Sequence, residues 1–153
     1  MKRIFFQTLA SGFYSGYSPI VSGTTGTVPA WLIAYYLIGG NLSTLAGVAV
    51  ITTVLSIWIA GEAENFYGHD SKKIVIDEWA GMFIALLFVP FSLTNYAIAF
   101  VAFRIFDVIK IPPAAQAERL PRGWGVTMDD VVAGIQANLA TQIVIFVIGY
   151  YGA

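Results

Sequence analysis

The chain is organised around residues 69–81, HDSKKIVIDEWAG. This stretch places one histidine, two lysines and three carboxylates between two segments that are almost purely apolar. Asp77 and Glu78 directly precede the apolar run that begins at Trp79, where an unpaired carboxylate is costly unless a metal or a base neutralises it. The stretch therefore predicts a metal-binding site at the edge of a membrane-embedded bundle.

The composition supports a membrane environment. Of the 153 residues, 58% are hydrophobic and 11% are charged, whereas soluble domains carry about 25% charged residues. A chain of this length is sufficient for one helical bundle, so residues 1–153 are expected to form a single domain. The net charge of −1 argues against nucleic acid as a partner. The absence of cysteine excludes disulfides, thiolate metal sites and cysteine nucleophiles.

Hydropathy and turn residues predict an all-α fold, a polytopic membrane bundle of about five apolar helices. The predicted helices cover residues 27–38, 42–60, 74–89, 96–109 and 127–150. Residues 10–27 are rich in glycine, serine and threonine and are predicted to be irregular, and residues 123–125, Gly-Trp-Gly, are predicted to form a turn. Thr127, with Asp130 three residues later, is a candidate N-cap of the last helix.

The charges indicate a topology. All seventeen charged residues lie at the N-terminal tip, in residues 62–78 or in residues 104–130. Five crossings place these three segments on one face, which the positive-inside rule makes cytoplasmic. The apolar crossings at 27–38 and at 79–89, within the predicted helix 74–89, are short and are also compatible with tilted or partial insertion. The alternative is a very apolar soluble bundle with its charges at one end.

Three groups of charged residues are expected to converge on that face, together with the Gly/Ser/Thr segment 18–27. Arg104, Asp107 and Lys110 recur every third residue and should share one helix face, although an ion pair at the helix end explains the same spacing. Asp129 and Asp130 begin the predicted last helix, where its dipole favours acids, so capping explains at least one of them. The third group is the pair Asp77 and Glu78.

Oxygen ligands without thiolates are typical of Mg²⁺ sites. The predicted ligands are Asp77, Glu78, Asp107, Asp129 and Asp130, and the four aspartates are also the predicted catalytic residues. Hydroxyls and N–H groups that lead into a helix can cradle an anion, which makes substrate-binding candidates of Ser22, Thr24, Thr25 and Thr27, or else this segment is only a flexible connection. Arg104 and Lys110 are candidates by charge. His69 is a possible proton carrier or an ordinary surface residue.

Four motifs in order resemble the phosphatidylglycerophosphatase A family of bacterial membrane phosphatases. They are GxSPIVSGTTGT, HDSKKIVIDEWAGMFIAL, FRIFDVIKIPP and GWGVTMDDVVAG, and they extend from about residue 12 to residue 134. The resemblance implies Mg²⁺-dependent hydrolysis of phosphatidylglycerol phosphate to phosphatidylglycerol and phosphate, at the cytoplasmic face of the bacterial inner membrane. It places the family's acidic motif on Asp77 and Glu78, its arginine-aspartate-lysine motif on Arg104, Asp107 and Lys110, and its paired aspartates on Asp129 and Asp130. Ser22 departs from the pattern, in which a proline is expected.

Two other functional classes remain open at this stage. A small cation transporter would need charge in mid-span or on both faces, and a non-catalytic lipid-phosphate-binding protein would bind the phosphate without releasing it. The sequence also leaves open the oligomeric state, the acyl-chain preference, the number of metal ions, and the choice between direct attack by water and a phosphorylated aspartate.

Overall fold

The computed structural model describes residues 2–18, 21–68, 71 and 73–151, and this part of the chain contains helices and no strands. The predicted all-α class is therefore confirmed. The helices are α1 (Lys2–Ala10), α2 (Ser22–Leu32), α3 (Leu42–Tyr67), α4 (Ile76–Ala85), α5 (Leu93–Ile109), α6 (Ala114–Ala117) and α7 (Gly123–Tyr151). A 3₁₀ turn, Ser15–Tyr17, follows α1, and α2 continues into a π-helical segment, Ile33–Ile38.

The short helix α4 lies at the centre of the fold, where it packs against α2, α3, α5 and α7. Its apolar residues Met82, Phe83 and Ala85 are buried, and they form one core with Tyr96 and Phe103 of α5. Its 10 residues extend about 15 Å at 1.5 Å per residue, which is half of the roughly 30 Å hydrocarbon core of a bilayer. The predicted helix 74–89 is thus a shorter, protein-buried helix.

Helices α3 and α7 are the two in the described chain that are long and apolar enough to cross a membrane by length and composition. Only 22% of the most apolar window of each helix is buried inside the protein, so most of that surface faces outwards. The other helices do not meet this description, and the predicted set of five crossings is not confirmed.

The start of α7 differs from the prediction. The helix begins at Gly123, so residues 123–125 are its first turn and Thr127 is an interior residue. A Cβ on Gly123 would lie 2.0 Å from the Ile57 carbonyl oxygen, and this glycine therefore permits close contact with α3. The Thr127 hydroxyl shares a buried hydrogen bond of 2.8 Å with the Ser56 hydroxyl. The predicted turn and N-cap are both wrong, because a tertiary contact outweighs the low helix propensity of glycine.

Helix α2 also starts earlier than predicted, since residues 22–27 are helical rather than irregular. The glycines that suggested a loop face other helices. A Cβ on Gly23 would lie 2.4 Å from Arg104 Nη2, and one on Gly26 would lie 2.7 Å from Val75. Trp79 of α4 also donates a 2.8 Å hydrogen bond to the Gly26 carbonyl oxygen. Small residues here let α2 approach α4 and α5.

The two uncharged turns lie together, as predicted for one end of the bundle. A Cβ on Gly40 would lie 2.7 Å from Phe91, and the rings of Tyr35 and Phe91 stack at 5.1 Å. At the opposite end of α3, the Arg3 guanidinium lies 5.9 Å from the centre of the Phe66 ring. The basic N-terminal tip therefore adjoins the charged end of α3.

Candidate active site

A cavity of about 720 Å³ lies where α2, α4, α5 and α7 meet. The charged residues that line it are Lys73, Asp77, Glu78, Arg104, Asp107, Lys110, Asp129 and Asp130. Five carboxylates thus face three cations, an excess of two negative charges when all are ionised. The structure brings the three predicted charged groups to one place.

A close crossing of α4 and α7 holds the two acid pairs together. A Cβ on Gly134 would lie 2.4 Å from the Gly81 carbonyl oxygen, and one on Gly81 would lie 2.6 Å from the Asp130 carbonyl oxygen. Glycine at such a crossing lets two helix backbones touch. Gly81 and Gly134 each follow an aspartate, Asp77 and Asp130, by four residues. The crossing therefore lies one helical turn from Asp77 and extends to the backbone of Asp130, so it fixes the separation of the two acids.

Asp77 and Glu78 occupy the first turn of α4 and are largely removed from solvent. Burial raises the pKa of Asp77 well above its usual range, and repulsion from Glu78 and Asp129 raises it further. Burial likewise raises the pKa of Glu78 to about 8, although the Arg104 guanidinium acts in the opposite direction. Both shifts have the same origin, which is negative charge concentrated in a poorly solvated cavity.

Asp129 and Asp130 lie about two turns into α7, beyond the reach of its N-terminal dipole. The capping explanation is therefore wrong, because the helix begins at Gly123. Instead, Lys110 Nζ lies 2.8 Å from Asp129 Oδ2 and 2.7 Å from Glu118 Oε1. Lys110 directly follows α5 in a left-handed conformation with φ of 49°. Its cation reaches α7 from this position.

Arg104 connects the acids of α4 and α5 through its Nη1 atom. This atom lies 2.7 Å from Asp107 Oδ2 and 3.5 Å from Glu78 Oε1, and it donates a 3.1 Å hydrogen bond to the Thr27 hydroxyl. The i,i+3 ion pair expected from the sequence is thus present. Arg104 Nε is buried and has no hydrogen-bond partner in the described part of the chain.

The predicted hydroxyl candidates have different surroundings. Ser22 lines the cavity, whereas Thr24 lines an adjacent apolar groove. The Thr25 hydroxyl bonds the carbonyl oxygens of Val21 and Ser22, both at 3.0 Å. The buried Thr27 hydroxyl lies 2.9 Å from Glu78 Oε2 and so orients that carboxylate. His69 lies outside the described residues, and the roles of all these residues stay predictions.

Lys73 also lines the cavity and was not singled out from the sequence. Its Nζ lies 5.3 Å and 5.6 Å from the ring centres of Tyr17 and Tyr67, whose hydroxyls are 2.6 Å apart. Its position in the charged stretch 69–81 was the available signal, because a cation beside buried acids has an obvious electrostatic use.

The acidic side chains that line the cavity are chemically suited to bind Mg²⁺. Among the described residues, no group of three or more acidic or histidine side chains is arranged as a ready-made metal site. Mg²⁺ usually takes one or two carboxylates and completes its octahedron with water and substrate phosphate. An all-oxygen cavity with an excess of two negative charges meets that requirement.

The fold and the cavity define a helical protein whose clustered acids and cations suit a phosphate ester. The chain belongs to the phosphatidylglycerophosphatase A family, which matches residues 8–145. It is therefore a phosphatase, and the resemblance seen in the motifs is confirmed. The transporter and non-catalytic alternatives have no support from this membership.

Three relatives cover most of the chain. A Bacteroides thetaiotaomicron protein, provisionally named a phosphatidylinositol-3-phosphatase, is 37% identical over 97% of this chain and 100% of its own length. Phosphatidylglycerophosphatase A of Escherichia coli is 35% identical over 85% of this chain and 77% of its own. The Haemophilus influenzae protein of the same name is 34% identical over 94% and 88%. No solved structure matches the chain significantly.

Proposed function

We propose that this phosphatase hydrolyses phosphatidylglycerol phosphate to phosphatidylglycerol and inorganic phosphate, a step of phospholipid synthesis. Two relatives carry the name of this activity. The observation that carries the proposal is the cavity itself, in which five carboxylates, Arg104 and Lys110 stand beside apolar helices. A phosphate on a lipid needs both of these surroundings.

Reaction at the cavity breaks the bond between phosphorus and the glycerol oxygen, while an oxygen of water becomes bonded to phosphorus. One proton of that water ends on the glycerol oxygen, which leaves as an alcohol. Arg104 lines the cavity, where its positive charge offsets the negative charge of the phosphoryl oxygens. Lys110 holds Asp129 in place and adds a second positive charge.

The acids that would hold Mg²⁺ are Asp77, Glu78, Asp107, Asp129 and Asp130, all of which line the cavity. When bound, the ion supplies Lewis-acid polarisation of the phosphoryl group and a site for water. Asp107 is paired with Arg104 at 2.7 Å and Asp129 with Lys110 at 2.8 Å, whereas the charged neighbours of Asp77 on α4 and Asp130 on α7 are other carboxylates, so these two acids carry the least compensated charge. This distribution of charge favours the two helices α4 and α7 as the principal holders of the metal.

Phosphorus is attacked either directly by water or first by an aspartate oxygen, which water then releases. The two routes differ in whether phosphate is ever attached to the chain. Substrate labelled with ³²P at the terminal phosphate, quenched in acid during turnover, leaves label on the chain only in the second route.

We also place the cavity at the cytoplasmic face of the bacterial inner membrane. The support is the positive-inside rule, applied to Lys73, Arg104 and Lys110 around the cavity and to Arg3 at the charged end of α3. Because the chain has no cysteine, a single cysteine in place of Arg122 reports the side of this charged end. Impermeant maleimide should label it in inverted vesicles and not in intact spheroplasts; the reverse result would contradict the orientation.

The central experiment measures phosphate release from short-chain phosphatidylglycerol phosphate in detergent, with Mg²⁺ and with EDTA. The expected result is turnover in Mg²⁺, none in EDTA, and recovery when excess Mg²⁺ is added back. Full activity in EDTA would remove the metal from the mechanism. No turnover of this substrate under any of these conditions would overturn the substrate assignment.

A second substrate is favoured by one observation. The relative that matches over its full length is named for action on a phosphatidylinositol 3-phosphate, which is also a phosphomonoester on a lipid headgroup. Side-by-side kcat/KM values for the two lipids decide between them. We expect phosphatidylglycerol phosphate to be preferred, and a higher value for the inositol lipid would reverse the proposal.

A further inference from the structure

Two apolar grooves follow the outer face of α5, beside the cavity described above. The first has a volume of about 430 Å³ and is lined by Thr24, Phe100, Val101, Arg104, Ile105 and Val108. The second has a volume of about 650 Å³ and is lined by residues that include Leu93, Ala97, Ile98, Val101, Ile105 and Val144. Their walls are almost entirely aliphatic or aromatic.

The grooves are continuous with each other and with the charged cavity. Val101 and Ile105 line both grooves. Arg104 and Val108 line both the first groove and the cavity. An unbroken surface therefore leads from the cationic groups of the cavity along α5 to Leu93. It is open from outside, since Val101 is 57% exposed and Val108 is 73% exposed.

The length of this path matches a lipid chain. From Arg104 to Leu93, α5 advances eleven residues, or about 16 Å at 1.5 Å per residue. One leaflet contributes half of the roughly 30 Å hydrocarbon core, about 15 Å. A chain anchored at the cavity would thus lie beside α5 over the depth that acyl chains fill.

We propose that the continuous groove along α5 binds one acyl chain of the lipid whose phosphate lies in the cavity. This inference rests on the proposed function and names the surface that recognises the hydrocarbon part of the substrate. Arg104 stands at the junction, where a phosphorylated headgroup meets its hydrocarbon tail. Charge at one end and an unbroken apolar wall at the other are complementary to that ligand.

The first test fills the groove with Val101→Trp and uses Val54→Trp as the matched control. Val54 lies on α3, away from the groove, and is 62% exposed. The readout is the ratio of kcat/KM for long-chain to short-chain phosphatidylglycerol phosphate. Val101→Trp should lower this ratio about tenfold, as expected when a few methylene groups lose their burial. Equal kcat/KM ratios in the two variants would overturn the inference that the groove binds an acyl chain.

The second test needs no turnover and a smaller substitution. Val101→Cys and Val54→Cys each give a single thiol in this cysteine-free chain, which is labelled with a fluorophore and reconstituted in phosphatidylcholine. A small fraction of phosphatidic acid with brominated acyl chains, a phosphomonoester lipid, should quench position 101 more strongly than position 54. Unbrominated phosphatidylglycerol phosphate should relieve the difference.

The control lipid is phosphatidylcholine with the same brominated chains, which should quench both positions to the same extent. Equal quenching of the two positions by brominated phosphatidic acid would mean that bulk lipid covers the groove, and this overturns the inference. Selective quenching without hydrolysis of either chain length would support the groove and overturn the proposed reaction. Failure of the groove inference can therefore be distinguished from failure of the proposed reaction.

Discussion

The acid pairs on α4 and α7 are similar in sequence but differ in what stabilises them. Each pair lies near a glycine that allows the two helices to cross closely, Gly81 and Gly134. In each pair the first aspartate also accepts a hydrogen bond from the next backbone N–H, at 2.9 Å in α4 and 3.0 Å in α7. However, the pair on α4 lies in the first helical turn, whereas the pair on α7 lies about two turns inside its helix.

Because of this difference, the negative charges of the two pairs are stabilised by different groups. Asp77 and Glu78 lie at the positive end of the α4 dipole, and Arg104 approaches Glu78 from α5. Asp129 is beyond the corresponding end of α7 and is paired with Lys110 at 2.8 Å. One pair is thus supported mainly by its own helix and the other by a neighbouring segment. Substitutions should separate the two arrangements.

The largest effect is expected from Asp77→Asn and Asp129→Asn, which remove one charge from each pair. Both should lower kcat/KM by more than about 100-fold, because even outer-shell partners of a metal are worth about 10- to 100-fold. The measurement is phosphate release in saturating Mg²⁺. Unchanged membrane insertion and thermal unfolding serve as the control. Wild-type turnover in either variant would exclude that aspartate from the reaction.

Lys110→Met should have the next largest effect, since it removes the cation that compensates Asp129. We expect a loss of about 10- to 100-fold in kcat/KM, the range typical of losing a group that supports a metal ligand. Lys110→Arg retains the charge and should recover part of this loss.

Glu118→Gln is the matched control for Lys110→Met, because it removes the more exposed partner of Lys110, with 37% of its side chain exposed. Exposed pairs contribute little, about 0–1 kcal/mol, so activity should fall by no more than a few-fold. If Glu118→Gln were as damaging as Lys110→Met, the important contact would be the one to Glu118 rather than the one to Asp129.

The charged part of this comparison was predictable from sequence, and the helix boundaries were not. Charge is conspicuous on an apolar background, so Asp77, Asp107 and Asp129 could be grouped before their distances were known. The start of α7 could not be located, because glycine at residues 123 and 125 resembles a turn until the contact of Gly123 with α3 is seen. This error led directly to the wrong capping role for Asp129 and Asp130.

In segment 18–27, the sequence did not show which side chains reach the cavity. The hydroxyls of this segment were predicted as one group of substrate ligands, but helical geometry points successive residues in different directions. Thr24 therefore lines the apolar groove and Thr27 lies against Glu78. The apolar groove had no sequence signal, because exposed aliphatic residues are expected all around a membrane helix.

The glycine crossing gives a third prediction, with a control on the same helix. Gly134→Ala would place its Cβ 2.4 Å from the Gly81 carbonyl oxygen. It should lower the free energy of unfolding by about 1–3 kcal/mol through overpacking and move the acid pairs apart. Gly149→Ala has no atom within 4 Å of the new Cβ and should be neutral or stabilising by up to about 1 kcal/mol.

Thermal unfolding in detergent, followed by circular dichroism, measures both glycine variants. Phosphate release below the unfolding temperature separates a displaced site from a lost fold. If Gly134→Ala were as stable and active as Gly149→Ala, the close crossing would not determine the separation of the acid pairs.

The smallest effect is expected from Thr27→Val, which tests whether the Thr27 hydroxyl helps to orient Glu78 of the α4 pair. Its hydroxyl lies 2.9 Å from Glu78 Oε2 and 3.1 Å from Arg104 Nη1, so its loss frees a carboxylate and a guanidinium that remain buried. A lost hydrogen bond to a charged group is worth about 1.5–3 kcal/mol, and we expect roughly a tenfold fall in kcat/KM. Thr53→Val removes only a bond to the carbonyl oxygen of Ala49 and should leave kcat/KM unchanged. Equal values for both variants would mean that Arg104 and the α4 dipole suffice to orient Glu78.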